Sequence, residues 1–563
     1  MLQVIARDKQ DFDVIVVGSG CTGGWAAKEL CEAGLKVAVV EAGSTVSESE
    51  FTEHLQPYDY KYREVSNPSS PEMERMRPMQ SLTSGCKEGN YKWFVNDIEN
   101  PYEVEKGKPF RWIRVRKVGG RSLTWGRQSY RMGNLDLKAA SRDGYGIDWP
   151  IEYKDLIPYY QKVERYIGVS GLPEGLEQLP DSEFLPPMGF TCGETRFRER
   201  VKGKMGRVAT IGRTAIITRD HNGRPACHYC GPCNHGCITY SYYSSPFTTL
   251  KAAEATGNLT LIPDAPVSHV VMDKRTGRAS GIAYVDAQTR EIKELRSKVV
   301  MLCASTLEST RILLNSAPGG LANSSGALGH YLMDHIFQGG ASGEMDDLPA
   351  KPWNGPPRRP NGMYIPRFRN IDRTHTNGFI RGYGFQGGSS PQFDMGASGF
   401  GKQYKEAVHK NARWRTSFGA WCECLPRYEN RVEINPEKKD AWGIPTLKIH
   451  MAWGDNEYKL WNDAREQAAE MLEATGHKNV HMTGAPSAPG FCIHEVGTAR
   501  MSASPKQGVL NQYAQAWDVK NLFVTDGAAY VSIACQNPTL SMMAITGRAC
   551  DYIQDGLKKG ELA

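Results

Sequence analysis

The stretch DFDVIVVGSGCTGGWAAKELCEAGLKVAVVEAG, residues 11–43, constrains the fold more than any other. Val14 to Val17 form a β-branched, strand-length apolar run. Gly18-Ser19-Gly20-Cys21-Thr22-Gly23 follows, then a helical pattern (Ala26, Ala27, Leu30) ending near Gly34. A second apolar run, Val37 to Val40, ends in Glu41. Strand, glycine turn, helix, strand, acid is the order of a dinucleotide-binding βαβ unit. Gly18, Gly20 and Gly23 let the backbone approach a pyrophosphate at the helix N-terminus, and Glu41 accepts hydrogen bonds from a ribose. A GxGxxG alone also occurs in turns that bind nothing; here both flanking strands and the acid accompany it. The unit predicts an α/β fold with a Rossmann-like domain and leaves FAD and NAD both open.

A chain of 563 residues can bury a large core and divide into two domains, interleaved if later segments return to the first. Lys+Arg 68 against Asp+Glu 62 gives a net charge of +6 with no dense basic block, so a nucleic-acid partner is not expected. No run approaches the roughly 18 consecutive apolar residues that cross a bilayer, and no direct membrane span is expected. The N-terminal residues lead into the first strand without the apolar core of a signal peptide, so no export address is expected in this chain itself. Stretches rich in proline and glycine at 346–362 and 384–400 read as long surface loops. Between 335 and 490, short β-like runs (RVEINPEK, TLKIHMAW) alternate with one clear helix, 456–475.

Four later stretches, together with the N-terminal unit, resemble the glucose–methanol–choline (GMC) oxidoreductase family. They are VGGRSLTWG (118–126), VVMLCASTLESTRILLNS (299–316), HEVGTARM (494–501) and NLFVTDGAAYVSIACQNPTLSMMAITGRACDYI (521–553). They run in the family's order from one end of the chain to the other. DWPIEYKDLIPYYQKVERYIGVSG (148–171) and SSGALGHYLMDH (324–335) are similar to its branch of bacterial sugar and polyol dehydrogenases. The resemblance implies an FAD domain assembled from 1–45, 110–150, 215–335 and 490–563. A substrate domain on an antiparallel sheet would come from 46–109, 151–214 and 336–489.

The resemblance also implies site residues. Gly119, Gly120, Ser122, Trp125 and Gly126 would lie against the flavin, Val267 in DAPVSHVVMD near the adenine, and Asp526, Gly527, Pro538 and Thr539 in the C-terminal cofactor segment. His494 stands where the family places its base, and Asn537 where it places a second His or Asn on the same substrate oxygen. Oxidising an alcohol with a flavin needs such a base and a group that orients the hydroxyl. His335 could line the pocket or cap a strand end. Pyranose oxidase, a relative, attaches its flavin through the His of a Thr-His-Trp run. Here the run reads Leu123-Thr124-Trp125, and Thr124 cannot form that bond, so the FAD should be non-covalent.

ACHYCGPCNHGC, residues 226–237, brings four of the 14 cysteines together as C-x2-C-x2-C-x3-C; the other ten are scattered and read as buried hydrophobes. Cys227, Cys230, Cys233 and Cys237 carry the spacing used for iron–sulfur ligation, with Ile238 where ferredoxins have Pro. Gly231, Pro232 and Gly236 would let the backbone wrap a cluster. Zinc and disulfides stay open as alternatives. By resemblance, some dehydrogenases of this branch carry a three-iron–four-sulfur cluster in such an insert and pass electrons to a cytochrome. A four-iron–four-sulfur cluster using Cys237 is the alternative. The expected function is an FAD-dependent dehydrogenase that converts a hydroxyl of a sugar or glycoside to a ketone or lactone, of glucoside 3-dehydrogenase type. Glucose, gluconate or polyol dehydrogenases and a dioxygen-reducing oxidase are the alternatives. A small signal-bearing subunit and a cytochrome c-type acceptor would place the chain at the periplasmic face of a membrane.

Overall fold

The computed structural model describes residues 6–64, 66–348, 359–372, 375 and 377–562. Its larger sheet is built on β1 (Ala6–Val17), which pairs in parallel with β2 (Val37–Val40) on one side and β3 (Ile292–Leu302) on the other. Leu259–Ile262 extends the sheet beyond β2, and Leu522–Val524 pairs in parallel with the end of β3. The first half of β3 continues instead into an antiparallel meander with Arg278–Val285 and Val267–Asp273.

The central strands are apolar on both faces because both faces are covered. Val14, Val16, Val299 and Met301 pack into one core with Ala26, Ala27, Leu30, Ala549 and Ile553. These come from α1 (Cys21–Glu32) and from the C-terminal helix, Thr539–Lys558. Ile15, Val17, Val300 and Leu302 pack into the other core with Leu307, Ile312 and Leu313 of α2 (Thr306–Ser316). Because the strands run parallel, the segments after β1, β2, β3 and Leu522–Val524 leave from one edge of the sheet. There they deliver Gly18, Glu41, Ser305 and Asp526 to a common cavity, the place where open α/β sheets bind their ligands.

The second sheet is antiparallel, in the order Lys478–Met482, Ile336–Met345, Arg413–Cys422, Tyr383–Gln392, Met363–Ile365, Thr210–Ile211. Helix Asp455–Ala474, one residue off the sequence expectation, covers it through Leu460, Trp461, Ala464, Ala468, Met471 and Leu472. The expected surface loop at 384–400 needs correction in its first half: Tyr383–Gln392 pairs along its length with Arg413–Cys422 near the middle of this sheet, and 393–400 form the mostly exposed non-regular stretch after it. Its glycines mark close approach between strands and do not form a turn. A Cβ on Gly387 would lie 2.0 Å from the Ser417 carbonyl, and one on Gly384 would lie 2.4 Å from the Tyr364 hydroxyl. In the other expected loop, residues 349–358 lie outside the described residues.

Candidate active site

A cavity of about 340 Å³ opens at the edge of the parallel sheet, lined among others by residues 17–22, 40–42, 124–128, 265–267, 492–495 and 537–539. The three glycines of the first turn have separate tasks. Gly18 has φ +96°, and a Cβ there would sit 2.5 Å from the Cys303 carbonyl. A Cβ on Gly23 would sit 1.9 Å from the Gly18 carbonyl, so this glycine serves the packing of helix on strand and stands behind the cavity wall. Gly20 faces open space, where a Cβ would find nothing nearer than the Gly119 carbonyl at 3.9 Å. It is the N-cap of α1, and no side chain caps that helix. The free N–H groups of the first turn suit a pyrophosphate.

Glu41 is buried beside this turn. Its carboxylate accepts from the Ser19 N–H at 3.0 Å, the Ser19 hydroxyl at 2.7 Å and the Gly43 N–H at 2.9 Å. Burial raises its pKa, and these hydrogen bonds and the nearby Arg116 oppose that shift. Among the described residues, several buried polar atoms of the cavity wall have no hydrogen-bond partner, among them Arg114 Nε and Arg116 Nη1, and Glu308 Oε1 has only the loose ion pairs to Arg114 at 3.8 Å and Arg116 at 3.7 Å. A ligand dense in hydrogen-bonding groups would satisfy such atoms, so the residues present fit a dinucleotide.

Gly120, Ser122, Trp125, Gly126, Val267, Asp526, Gly527, Pro538 and Thr539 all line the cavity. Gly119 does not; it packs against Pro246, where a Cβ would come within 2.6 Å of the ring. Ser122 accepts from the Ser245 N–H at 3.0 Å, and the Trp125 indole donates to the Tyr243 carbonyl at 2.9 Å, so both brace the wall. Asp526 accepts from the Ala528 N–H at 2.9 Å and from the Ser309 hydroxyl, and burial pushes its pKa up to about 6.

His494 and Asn537, 43 residues apart in sequence, meet at the cavity wall, with Asn537 Nδ2 3.3 Å from His494 Nε2. Asn537 does not cap the helix that follows it. Its Oδ1 accepts from Gln386 Nε2 at 2.6 Å, out of the strand misread as a loop. The other nitrogen of His494 lies 3.0 Å from Nδ1 of His335 and 3.4 Å from Cys492 Sγ. His335 is fully buried just before strand Ile336–Met345, and its Nε2 lies 2.6 Å from the Ala534 carbonyl. His494 is partly exposed to the cavity. Desolvation, with His335 and Arg121 nearby, pushes its pKa well below the ordinary histidine range. Arg121 ties the wall together by donating to the Ile493 carbonyl at 3.1 Å, Glu495 at 2.8 Å and Ser305 at 2.6 Å. Sequence reasoning did not single out Arg121, Gln386 or Cys492. Arg121 stood inside a quoted motif, whereas the other two carry no local signal.

Cys227, Cys230, Cys233 and Cys237 are free thiols lining one small second cavity. Desolvation pushes the first two up to about 11. Among the described residues, the group gathered tightly enough around one point to hold a single ion is His335, Cys492 and His494, not these four. The two cavities share a partition. Thr124–Arg127 line the first, while Tyr242 lines the second and donates to the Leu123 carbonyl at 2.7 Å. Arg127 is 5% exposed, its guanidinium lies 5.3 Å from the Tyr242 ring, and its Nε and Nη1 have no acceptor among the described residues.

A βαβ dinucleotide site with a histidine and an amide converging on its wall defines an oxidoreductase of CH–OH groups. The chain belongs to the GMC oxidoreductase family, whose N-terminal part matches residues 12–337 and whose C-terminal part matches residues 426–546. Enzymes of this family are FAD-dependent, and the residues lining this cavity fit that cofactor. The chain is 29% identical to 2-methyl-1,2-propanediol dehydrogenase of Mycolicibacterium austroafricanum, over 96% of this chain and 95% of that protein. It is 26% identical to the fructose dehydrogenase large subunit of Gluconobacter japonicus, over 99% of this chain and 100% of that subunit. The solved structure of pyridoxine 4-oxidase from Mesorbium loti has the same fold, with a TM-score of 0.61 at 17% identity, covering 96% and 98% of the two chains.

Proposed function

We propose that this chain is the catalytic subunit of an FAD-dependent dehydrogenase that oxidises a secondary or anomeric hydroxyl of a sugar or glycoside, of glucoside 3-dehydrogenase type. The observation that carries the reading is the His494–Asn537 pair, whose two nitrogens lie 3.3 Å apart at the cavity wall. His494 takes the hydroxyl proton on Nε2, and Asn537, held by Gln386, orients the same oxygen. FAD, when bound, supplies the hydride acceptor. Thr124 lines the cavity and cannot form the linkage a histidine forms, which supports non-covalent FAD.

Cys227, Cys230 and Cys233 hold an iron–sulfur cluster, three-iron in the preferred form and four-iron with Cys237 in the other. Such a cluster supplies one-electron transfer toward a cytochrome. The partition shared with the FAD cavity and the buried Arg127 guanidinium, whose Nε and Nη1 have no acceptor among the described residues, support a site for an anionic group beside the flavin. A small signal-bearing subunit would carry the complex to the periplasmic face of the membrane; among the described residues, no helix is long and apolar enough to cross it.

A panel of sugars, glycosides and polyols added anaerobically should bleach the flavin for the true substrate. Turnover should follow with a dye and not with dioxygen. Replacing Cys227, Cys230 or Cys233 with Ser should remove iron and acid-labile sulfide and leave flavin bleaching intact. It should also abolish cytochrome reduction. Iron-free, zinc-loaded protein that still reduces a cytochrome would overturn the electron route.

A further inference from the structure

We propose that His335 is a positioning residue that selects the tautomer of His494. The inference rests on reading His494 as the base.

The argument is a chain of forced donors and acceptors. The Ala534 carbonyl can only accept, so His335 Nε2, 2.6 Å away, carries the hydrogen. His335 is 0% exposed, and burial lowers its pKa to about 4, so the ring is neutral and its Nδ1 is a bare lone pair. His494 Nδ1 lies 3.0 Å from that lone pair. Two nitrogens at this distance need one hydrogen between them, and it must belong to His494. The thiol of Cys492, 3.4 Å from the same nitrogen, cannot change this, since donation from sulfur would leave two lone pairs facing each other.

Neutral His494 with a protonated Nδ1 has a bare Nε2. The amide orientations on the other side of the site agree with this. Gln386 Nε2 donates to Asn537 Oδ1 at 2.6 Å, which turns the Asn537 amide hydrogens toward His494 Nε2 at 3.3 Å. The His335 network therefore leaves a lone pair on the cavity side of His494, where a hydroxyl proton can be taken. The opposite tautomer would present an N–H there and could accept no proton. When the proton arrives, His494 becomes an imidazolium that still donates from Nδ1 to His335, and His335 remains neutral.

The test uses the holoenzyme labelled with ¹⁵N-histidine, with the His494 resonances identified by their loss in His494→Gln. The expected spectrum has Nδ1 protonated and Nε2 bare. His335→Leu should shift His494 toward the other tautomer and lower kcat by roughly 10²–10⁴-fold with FAD still bound and KM little changed. His335→Asn, whose Oδ1 restores an acceptor near the Nδ1 position, should recover much of kcat. If His335→Leu does not fold, the wild-type spectrum and His335→Asn decide.

An Nε2-protonated His494 in the wild type would overturn the proposal, as would an unchanged tautomer and kcat in folded His335→Leu. So would a stoichiometric metal ion in the purified enzyme that is lost in Cys492→Ser, since both Nδ1 atoms would then be its ligands. Normal turnover in His494→Ala would instead refute the base assignment, and the wild-type spectrum would still report the Nδ1 hydrogen.

Discussion

His494 sits where a positive charge is unwelcome, since burial and the nearby Arg121 cation disfavour its protonated form. A general base works when neutral, and a depressed pKa keeps it neutral as pH falls through the ordinary histidine value near 6.5. The acid limb of kcat/KM should therefore lie clearly below pH 6.5, with a flat profile around neutrality; an inflection at or above 6.5 would contradict this. His494→Ala should lower turnover by roughly 10²–10⁴-fold without loss of FAD, read by flavin content and steady-state kinetics. Asn537→Ala should act more on substrate alignment, raising KM as well as lowering kcat. His494 and Asn537 were legible in the sequence because each sits inside a motif. The partners that orient them were not. His335 and Gln386 lie 159 and 151 residues from the side chains they contact, and nothing in their own neighbourhoods announces that contact.

At the scale of the element, the first turn separates two uses of glycine that look alike in sequence. Gly20→Ala places a methyl group where, among the described residues and apart from its chain neighbours, the nearest atom is the Gly119 carbonyl at 3.9 Å, so the apo-protein should keep its Tm and lose affinity for FAD. Gly23→Ala drives a Cβ to 1.9 Å from the Gly18 carbonyl and should destabilise the fold by about 1–3 kcal/mol or more. Thermal melts of both variants with and without FAD distinguish the two effects, and equal losses in the apo state would refute the distinction. The same ambiguity explains the misread strand. Gly384, Gly387 and Gly388 resemble a loop by composition, yet two of them are small because Tyr364 and Ser417 come close. The βαβ unit was legible because its β-branched run, glycines and acid reinforce one another within 33 residues.

Across the whole molecule, the antiparallel sheet reaches the candidate site through His335 just before one strand and Gln386 within another. Non-covalent FAD has a direct check: acid or heat denaturation should release all yellow colour into the supernatant, and flavin left on the precipitate would contradict it. The α/β architecture with its antiparallel companion was legible from the order of the motifs. Strand order in the second sheet was not, because pairings such as Thr210–Ile211 with Met363–Ile365 join segments about 150 residues apart.

The cavity wall takes in residues from Val17 to Met542. A ribosome adding roughly 5–20 residues per second needs about half a minute to two minutes to pass from the first to the last of these. Until then the nucleotide site has its first glycines and no base, amide or C-terminal wall. Cofactor loading is therefore an event of the finished chain, and any compartment that lacks FAD must receive this protein already folded around it.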